Sequence, residues 1–248
     1  MDQADSNQPR WWSRATLIGG IIALALLVLG PLGTRFGIWG FQFGLMCLFG
    51  AVVLAAIGLI VAIFGYLVAR RNSLDVDRPV LVTGGVIAAL ILAVMGVQAN
   101  AAFSVPPIHN ISTDVDDPPV FQRAGALRGV DSNSLDYDAA TLAPQQQAAY
   151  PDVKPLDSSL APEAAIARAQ TVLEDMGLEI IGTDAGGSSI EATYTSFWFG
   201  FKDDVVVRVR PAAGGSRIDV RSVSRVGQSD LGANARRILR ILEGMQGG

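Results

Sequence analysis

The chain has 248 residues, half of them hydrophobic, and a formal net charge of −4 at pH 7. Its mean hydropathy of +0.37 is higher than soluble globular proteins usually reach, so membrane-spanning segments are the first expectation. One cysteine, Cys47, and one histidine, His109, exclude an intrachain disulfide and a zinc site of the usual Cys/His kind.

Three apolar stretches occupy the N-terminal part of the chain, at 15–32, 45–69 and 79–97. None contains Asp, Glu, Lys, Arg or His, and each is close to the roughly 20 residues that cross a bilayer. We therefore predict a short tail at 1–14 and a membrane region of three transmembrane helices at 15–100. A buried core helix is the alternative for the third stretch.

Basic residues near the ends of these stretches predict their orientation. The tail and the second connecting loop carry five arginines: Arg10, Arg14, Arg70, Arg71 and Arg78. The first loop has only Arg35, and no further basic residue follows the third stretch until Arg123. Because basic loops stay in the cytoplasm, we expect the N-terminus to be cytoplasmic and everything after about residue 100 to lie outside. In a bacterium this means the inner membrane and the periplasm.

The three stretches contain no ionisable side chain that would mark an ion or proton path. We therefore interpret them as an anchor in the lipid bilayer rather than as a transporter. The tripeptide Ala99-Asn100-Ala101 has the small-x-small form of a signal-peptidase site. Cleavage after Ala101 would release the C-terminal part, and the sequence leaves this alternative open.

The segment 101–160 is polar and rich in proline, with no clear helical or strand period over most of its length. Two proline pairs, Pro106-Pro107 and Pro118-Pro119, restrict the backbone to extended conformations. We predict an extended strap that leads the chain from the membrane into a folded domain.

The remaining region, 161–248, has clear periodicity. Amphipathic helices are predicted at 162–176 and 231–245, the second with Ser229 or Asp230 at its N-cap. Between them, alternating apolar residues predict four strands, at 178–183, 189–196, 205–210 and 217–225. Strands joined by short turns form antiparallel sheets, so the predicted fold class is α+β: three transmembrane helices, then a two-layer domain with about four antiparallel strands covered by two helices.

Charge is distributed unevenly in the part outside the membrane. There are 13 basic and 19 acidic residues after Gln98, which argues against nucleic-acid binding. Five arginines lie on the last two predicted strands: Arg208, Arg210, Arg217, Arg221 and Arg225. They have two interpretations. Either they pair with acids such as Asp203, Asp204 and Asp219 on a solvated sheet face, or they bind an anionic lipid headgroup, phosphate or polymer.

Three motifs resemble a bacterial family known only as domain of unknown function 1499. They are "IHNISTDVDDPPVF", "AYPDVKPL" and "DVRSVSRVGQSDLGANARRI", in the family's order, and the resemblance covers about residues 105–242. Membrane-attached members are usual in that family, and the resemblance implies no activity. It marks these positions for attention: His109, Asn110, Thr113, Asp114, Pro118, Pro119, Tyr150, Pro151, Asp152, Arg221, Ser222, Ser224, Arg225, Gly227, Asp230, Asn234 and Arg237.

Catalysis would need a base, an orienting partner and a nucleophile. His109 and Asp114 are the candidate catalytic residues of a hydrolase, with Ser222 or Ser224 as the nucleophile. No spacing connects these residues and no G-x-S-x-G motif is present. The alternative is that His109 and Asn110 hold the chain by hydrogen bonds to backbone. Asp114, Asp116 and Asp117 do not fit a calcium loop, so we predict no metal and no cofactor.

The third motif is the best candidate for a ligand site, since it runs from a strand onto a helix N-terminus, where free N–H groups attract anions. The predicted ligand-binding residues are Arg221, Ser222, Ser224, Arg225, Asn234 and Arg237. The sequence thus predicts an inner-membrane protein whose periplasmic domain binds an envelope component, such as an anionic ligand, or a protein partner. The alternatives are a periplasm-facing hydrolase and a subunit of a larger membrane complex.

Overall fold

The structure, a computed structural model, describes residues 8–246. Its N-terminal part contains three helices that are long and apolar enough to cross a membrane: α1 (Trp11–Arg35), α2 (Phe41–Arg71) and α3 (Asp77–Phe103). They confirm the three long apolar helices predicted from the sequence. The first seven residues of the predicted tail lie outside the described residues.

Small side chains let these three helices approach each other closely. Ala23 of α1, Ala55 of α2 and Ala88 of α3 are buried together in one cluster. A methyl group at Gly30 would lie 2.5 Å from Cβ of Cys47, so α1 and α2 can pack this closely only because Gly30 has no side chain. The N-terminal end of α1 is tied to α3, since the backbone N–H of Arg10 donates to Oδ1 of Asp77 over 2.8 Å.

Residue contacts divide the chain into two compact units. One contains the chain up to Ala101 together with Phe197–Gly200, and the other contains Ala102–Ser196 and the chain from Phe201 onwards. The second unit is an α+β domain, as predicted. Its elements are β1 (Asn110–Ser112), α4 (Ala139–Ala149), β2 (Leu156–Ser158), α5 (Pro162–Asp175), β3 (Glu179–Thr183), β4 (Ser189–Thr195), β5 (Lys202–Ala212), β6 (Gly215–Ser224) and α6 (Ala233–Gln246).

The six strands form one antiparallel sheet in the order β1-β6-β5-β4-β3, and β2 also pairs with β6. Strands β3 to β6 are the four predicted strands. The additional strands β1 and β2 are three residues long, too short to give a periodic signal. Gly215 permits the β2 contact, because a methyl group there would lie 2.1 Å from the carbonyl oxygen of Ser158.

The predicted strap, 101–160, is not extended throughout. It contains β1, β2, a 3-10 turn at Ala124–Leu127 and the helix α4, and α4 has no strong amphipathic pattern by which it could have been recognised. The side chain of Gln146 on α4 acts as a partner for the edge of β1. Its Oε1 accepts from the N–H of Ser112 over 2.9 Å, and its Nε2 donates to the Ser112 carbonyl over 2.6 Å.

The apolar core lies between the sheet and the helices α5 and α6. Inward-facing residues of three strands, including Ile190, Val205 and Val220, pack against residues such as Leu173 of α5 and Ile238 of α6. The predicted cap is present, since Asp230 accepts hydrogen bonds from the N–H groups of Gly232 and Asn234 over 2.7 and 2.8 Å. This core covers only one of the two faces of the sheet.

Candidate functional site

The opposite face of the sheet, which we call the second face, is polar and yet buried. Along β4, β5 and β6 every other side chain points to this face, and six of these are buried polar or charged groups: Ser189, Glu191, Thr193, Asp204, Asp219 and Arg221. Residues 113–138, which we call the covering segment, lie over it. One interpretation of the arginines is that they pair with acids on a solvated face. The pairs with acids are present, but the covering segment excludes water from the central charges of this face.

Asp204 is the centre of one charge cluster on the second face. Its fully buried carboxylate is 2.5 Å from Nη1 of Arg128 and 2.8 Å from Nη2 of Arg225. The hydroxyl of Thr193 also donates to it, over 2.9 Å. Arg128 belongs to the covering segment and Arg225 follows β6, so one carboxylate joins three parts of the chain.

Asp219 is the centre of a second cluster, towards the β5–β6 turn. Arg210 and Arg208 approach its Oδ2 at 2.6 and 3.1 Å. Arg210 also binds two acids of the covering segment, Asp114 at 3.0 Å and Asp117 at 2.9 Å. The arginines predicted to form a patch on β5 are thus engaged with carboxylates of the protein itself.

Arg221 lies between these clusters, and none of the carboxylates in residues 8–246 forms an ion pair with it. Its Nε donates to Oδ1 of Asn110 over 3.0 Å, Nη1 donates to the Pro119 carbonyl over 3.0 Å, and Nη2 donates to the Leu135 carbonyl. The rings of Phe121 and Tyr137 have their centroids 5.4 and 5.6 Å from the guanidinium carbon. Burial lowers the pKa of Arg221 to about 10, which leaves it charged at neutral pH.

Glu191 has a role that the sequence did not reveal. Its carboxylate accepts hydrogen bonds from the backbone N–H groups of Gln122, Arg123 and Ala124 at 2.6 to 3.1 Å. These groups begin the 3-10 turn, where N–H groups have no partner within the turn. The sequence contains one indication of this role, namely that Glu191 is an acid on the polar side of an alternating strand.

A third polar cluster lies on the opposite, helix-covered face. Nη1 of Arg237 donates to Oδ1 of Asn234 and to the hydroxyl of Ser222, over 2.5 and 3.0 Å. Its Nη2 donates to Asp203 over 2.7 Å, and the ring of Tyr194 has its centroid 4.3 Å from the guanidinium carbon. This cluster ties α6 to β5 and β6.

The structure does not bring the six predicted ligand-binding residues together. Arg221 and Arg225 lie on the second face, whereas the other four lie on the helix-covered face: Ser222, Ser224, Asn234 and Arg237. The sheet separates the two groups, and each side chain has partners within the domain. The helix N-terminus is occupied by Asp230, whose pKa is raised by burial and by nearby Asp203. Ligand binding by these residues stays a prediction.

His109 and Asp114 are also far apart. Nδ1 of His109 is 3.3 Å from the Gln228 carbonyl, and its own carbonyl accepts from the N–H of Ser224. Asp114 instead binds Arg210, which also binds Asp219. Asp219 lies five residues before Ser224 on β6, which corresponds to roughly 16 Å of strand. His109 and Asp114 therefore do not form a pair. The contacts of His109 agree with the other interpretation, in which it holds the chain by hydrogen bonds to the backbone.

The acids of the first motif form a turn. Oδ1 of Asp114 accepts from the N–H groups of Asp116 and Asp117, and its Oδ2 is held by Arg210. Among residues 8–246 no group of three or more His, Cys, Asp or Glu side chains is arranged to hold a metal ion. Asp114 thus folds the covering segment and joins it to β5.

We expect acid to weaken this junction. Burial raises the pKa of Asp114, but hydrogen bonds from Asp117, Arg210 and Asp116 outweigh it and bring the pKa below the usual 3.8. A lowered carboxyl pKa stabilises the fold above pH 3.8 and loses that contribution as the pH falls through the lower, folded-state pKa. Unfolding free energies measured from pH 7 down to pH 3 should therefore fall less steeply for Asp114→Asn than for wild type. The exposed Asp131→Asn should follow wild type, and identical profiles for all three would contradict the role of Asp114.

The family described as "Protein of unknown function (DUF1499)" matches residues 110–245, more than half of the chain. The chain belongs to this family. The match begins with the first residue of β1 and ends within α6, so the DUF1499 unit comprises the covering segment together with the sheet and its helices. A search of the curated proteins finds no match.

The outer side of the covering segment differs from its inner side. Val120 and Leu127 are 69% and 55% exposed, and Val130 is fully exposed. The inner side consists of charged side chains and backbone carbonyls that bind the second face. The segment thus binds the sheet largely through polar groups, while three large aliphatic side chains are exposed on it among acids such as Asp117 and Asp131.

Proposed function

We propose that this DUF1499 protein is an inner-membrane protein whose C-terminal domain lies in the periplasm and binds a protein partner there through the outer side of the covering segment. The observation that carries the proposal is the exposure of Val120, Leu127 and Val130 on a segment whose contacts with the sheet are largely polar. Exposed aliphatic groups held in place by a buried polar network are typical of an interaction surface rather than of a solvated loop.

The inner contacts explain why this surface would be rigid. Arg225 donates to the Leu127 carbonyl over 2.8 Å, Arg128 is bound to Asp204, and Asn133 donates to the carbonyls of Ser224 and Gly227. A segment held at several points loses little conformational entropy when a partner binds, so the apolar contacts contribute more fully to the affinity.

The hydrogen bonds that the arginines already make within the domain favour a protein partner over a small anion. Arg208, Arg210, Arg221, Arg225 and Arg237 all donate to carboxylates, carbonyls or amide oxygens of the domain. An anion would have to displace these acceptors, and several of them are buried. A protein that covers the aliphatic side chains displaces only water.

The orientation rests on the distribution of arginines. Arg10 and Arg14 precede α1, and Arg70, Arg71 and Arg78 lie at the α2–α3 connection. Both positions are on the same side of the bilayer if the three helices cross it in succession. The positive-inside rule then assigns that side to the cytoplasm and the C-terminal domain to the opposite side.

One cross-linking experiment tests both parts of the proposal. Val130→Cys is made in a Cys47→Ala background, which has no other cysteine, and expressed in the organism that produces the protein. Spheroplasts are treated with a membrane-impermeant maleimide that carries a benzophenone, and are then irradiated. We expect Val130→Cys to react in intact spheroplasts and to give one discrete protein adduct.

Two control variants test the orientation and the binding surface separately. Ser73→Cys, in the α2–α3 loop, should react only after the membrane is opened. Ala148→Cys, exposed on α4, should react in intact spheroplasts but without forming that adduct. Labelling of Ser73→Cys rather than Val130→Cys would overturn the orientation. Labelling of Val130→Cys with no adduct, or with the same adducts as Ala148→Cys, would overturn the binding surface.

A further inference from the structure

A second apolar feature lies in the loop between β4 and β5, residues 196–201. The loop is closed by the N–H of Ser196, which donates to the Phe201 carbonyl over 2.8 Å. At its tip Phe197 and Trp198 are 66% and 52% exposed, and their rings contact each other edge to face with centroids 5.3 Å apart. Two large aromatic side chains at one hairpin tip leave an apolar surface that water solvates poorly.

The register of the sheet places this loop at the end where the chain enters the domain. Thr195 pairs with Lys202 next to the loop, and Asp203 pairs with Ser224 at the end of β6. Asn110, the first residue of β1, pairs with Val223. The two ends of the β4–β5 loop and the start of β1 therefore lie at the same edge of the sheet.

The connection from α3 to β1 is short. Six residues lie between Phe103, the end of α3, and Asn110, and even a fully extended chain spans at most about 25 Å from the one to the other. The N–H of Ile108 donates to the Pro106 carbonyl over 2.8 Å, a tight turn that shortens the connection further. If α3 crosses a bilayer, this edge of the domain must stay near its surface.

Other side chains at the same edge have the composition of a lipid-facing surface. Leu231, which precedes α6, is exposed and has a left-handed backbone conformation (φ 54°). It lies at this edge because the N–H of its neighbour Asp230 donates to the Ile108 carbonyl over 3.2 Å. Lys202 and Arg236 are exposed nearby. Aromatic rings are enriched at the depth of the lipid headgroups, and basic side chains bind their phosphates.

We propose that the β4–β5 loop inserts Phe197 and Trp198 into the headgroup region of the bilayer that holds α1, α2 and α3. The loop is then a second attachment of the domain to the membrane, in addition to the covalent connection from α3.

Site-directed spin labelling of the full-length protein tests this proposal. Trp198→Cys in the Cys47→Ala background is labelled with a nitroxide and reconstituted in vesicles of phosphatidylethanolamine and phosphatidylglycerol. The matched control is Ala213→Cys, exposed in the β5–β6 turn at the opposite end of the sheet. Power saturation then measures the collision of each label with oxygen, which concentrates in lipid, and with a water-soluble nickel chelate.

We expect the label at 198 to collide more with oxygen than with the nickel chelate, and the label at 213 to show the reverse order. A preference for nickel at both positions would mean that the loop lies in water and would overturn the proposal. Protection of position 198 from both reagents would mean that protein covers the loop, which also overturns it. Far-ultraviolet circular dichroism should be the same for both variants, so that the comparison is between folded proteins.

Discussion

Replacing Asp204 with asparagine is expected to lower the free energy of unfolding of the C-terminal domain by about 3 to 5 kcal/mol, the cost of breaking a buried ion pair. The carboxylate is fully buried and is bound by both Arg128 and Arg225. Its removal leaves two positive charges next to each other with little access to water. The asparagine amide is nearly the same size, so the loss would reflect charge rather than a cavity.

Pulse proteolysis of the full-length protein in detergent over a range of urea concentrations would measure this loss. The matched control is Asp117→Asn, the same chemical change in an ion pair with Arg210 in which the aspartate side chain is 64% exposed. Exposed pairs contribute about 1 kcal/mol or less. Equal effects of the two substitutions would mean that the Asp204 cluster is not shielded from solvent by the covering segment.

Replacing Arg221 with lysine is expected to cost about 2 kcal/mol or more, although the charge is kept. The guanidinium donates to three acceptors at once: the side chain of Asn110 and the carbonyls of Pro119 and Leu135. A lysine ammonium lacks the planar arrangement of donors that reaches all three. Two of the acceptors belong to the covering segment, so its amide hydrogens should also exchange faster in this variant.

Arg217→Lys is the control for this experiment, since Arg217 lies on the same strand and face but its side chain is 44% exposed. We expect it to change the free energy of unfolding by less than about 0.5 kcal/mol. If Arg221→Lys lowered the free energy of unfolding as little as Arg217→Lys, the three acceptors around Arg221 could adapt to lysine. Arg221 would then not be what holds the covering segment to the sheet.

The motifs that carry the family resemblance acquire structural roles in this fold. Asn110 and Arg221 bind each other, Asp114 joins the covering segment to Arg210, and Asn234 and Arg237 connect α6 to the sheet. Side chains that look like binding or catalytic groups in the sequence are thus used to attach segments to the two faces of one sheet. Large apolar side chains are exposed at other places, which include the outer side of the covering segment and the β4–β5 loop.

The sequence by itself determined the features that depend on local periodicity. Uninterrupted apolar stretches predicted α1, α2 and α3, because backbone polar groups in a bilayer must be satisfied within a helix. Alternating residues predicted β3 to β6, since side chains of a strand point to opposite faces. The spacing of apolar residues predicted α5 and α6. The sequence offered Ser229 or Asp230 as the cap of α6, and the structure shows Asp230 in that role.

Only the tertiary structure decided what covers the second face. Periodicity identified a polar face, but not whether water or another segment lies against it, because that depends on residues distant in sequence. Arg128 and Asp204 are 76 residues apart, and Asn110 and Arg221 are 111 apart. Alternation likewise places Arg221 and Ser222, neighbours in one motif, on opposite sides of the sheet. A cluster of polar residues in the sequence therefore became two separate networks in the fold.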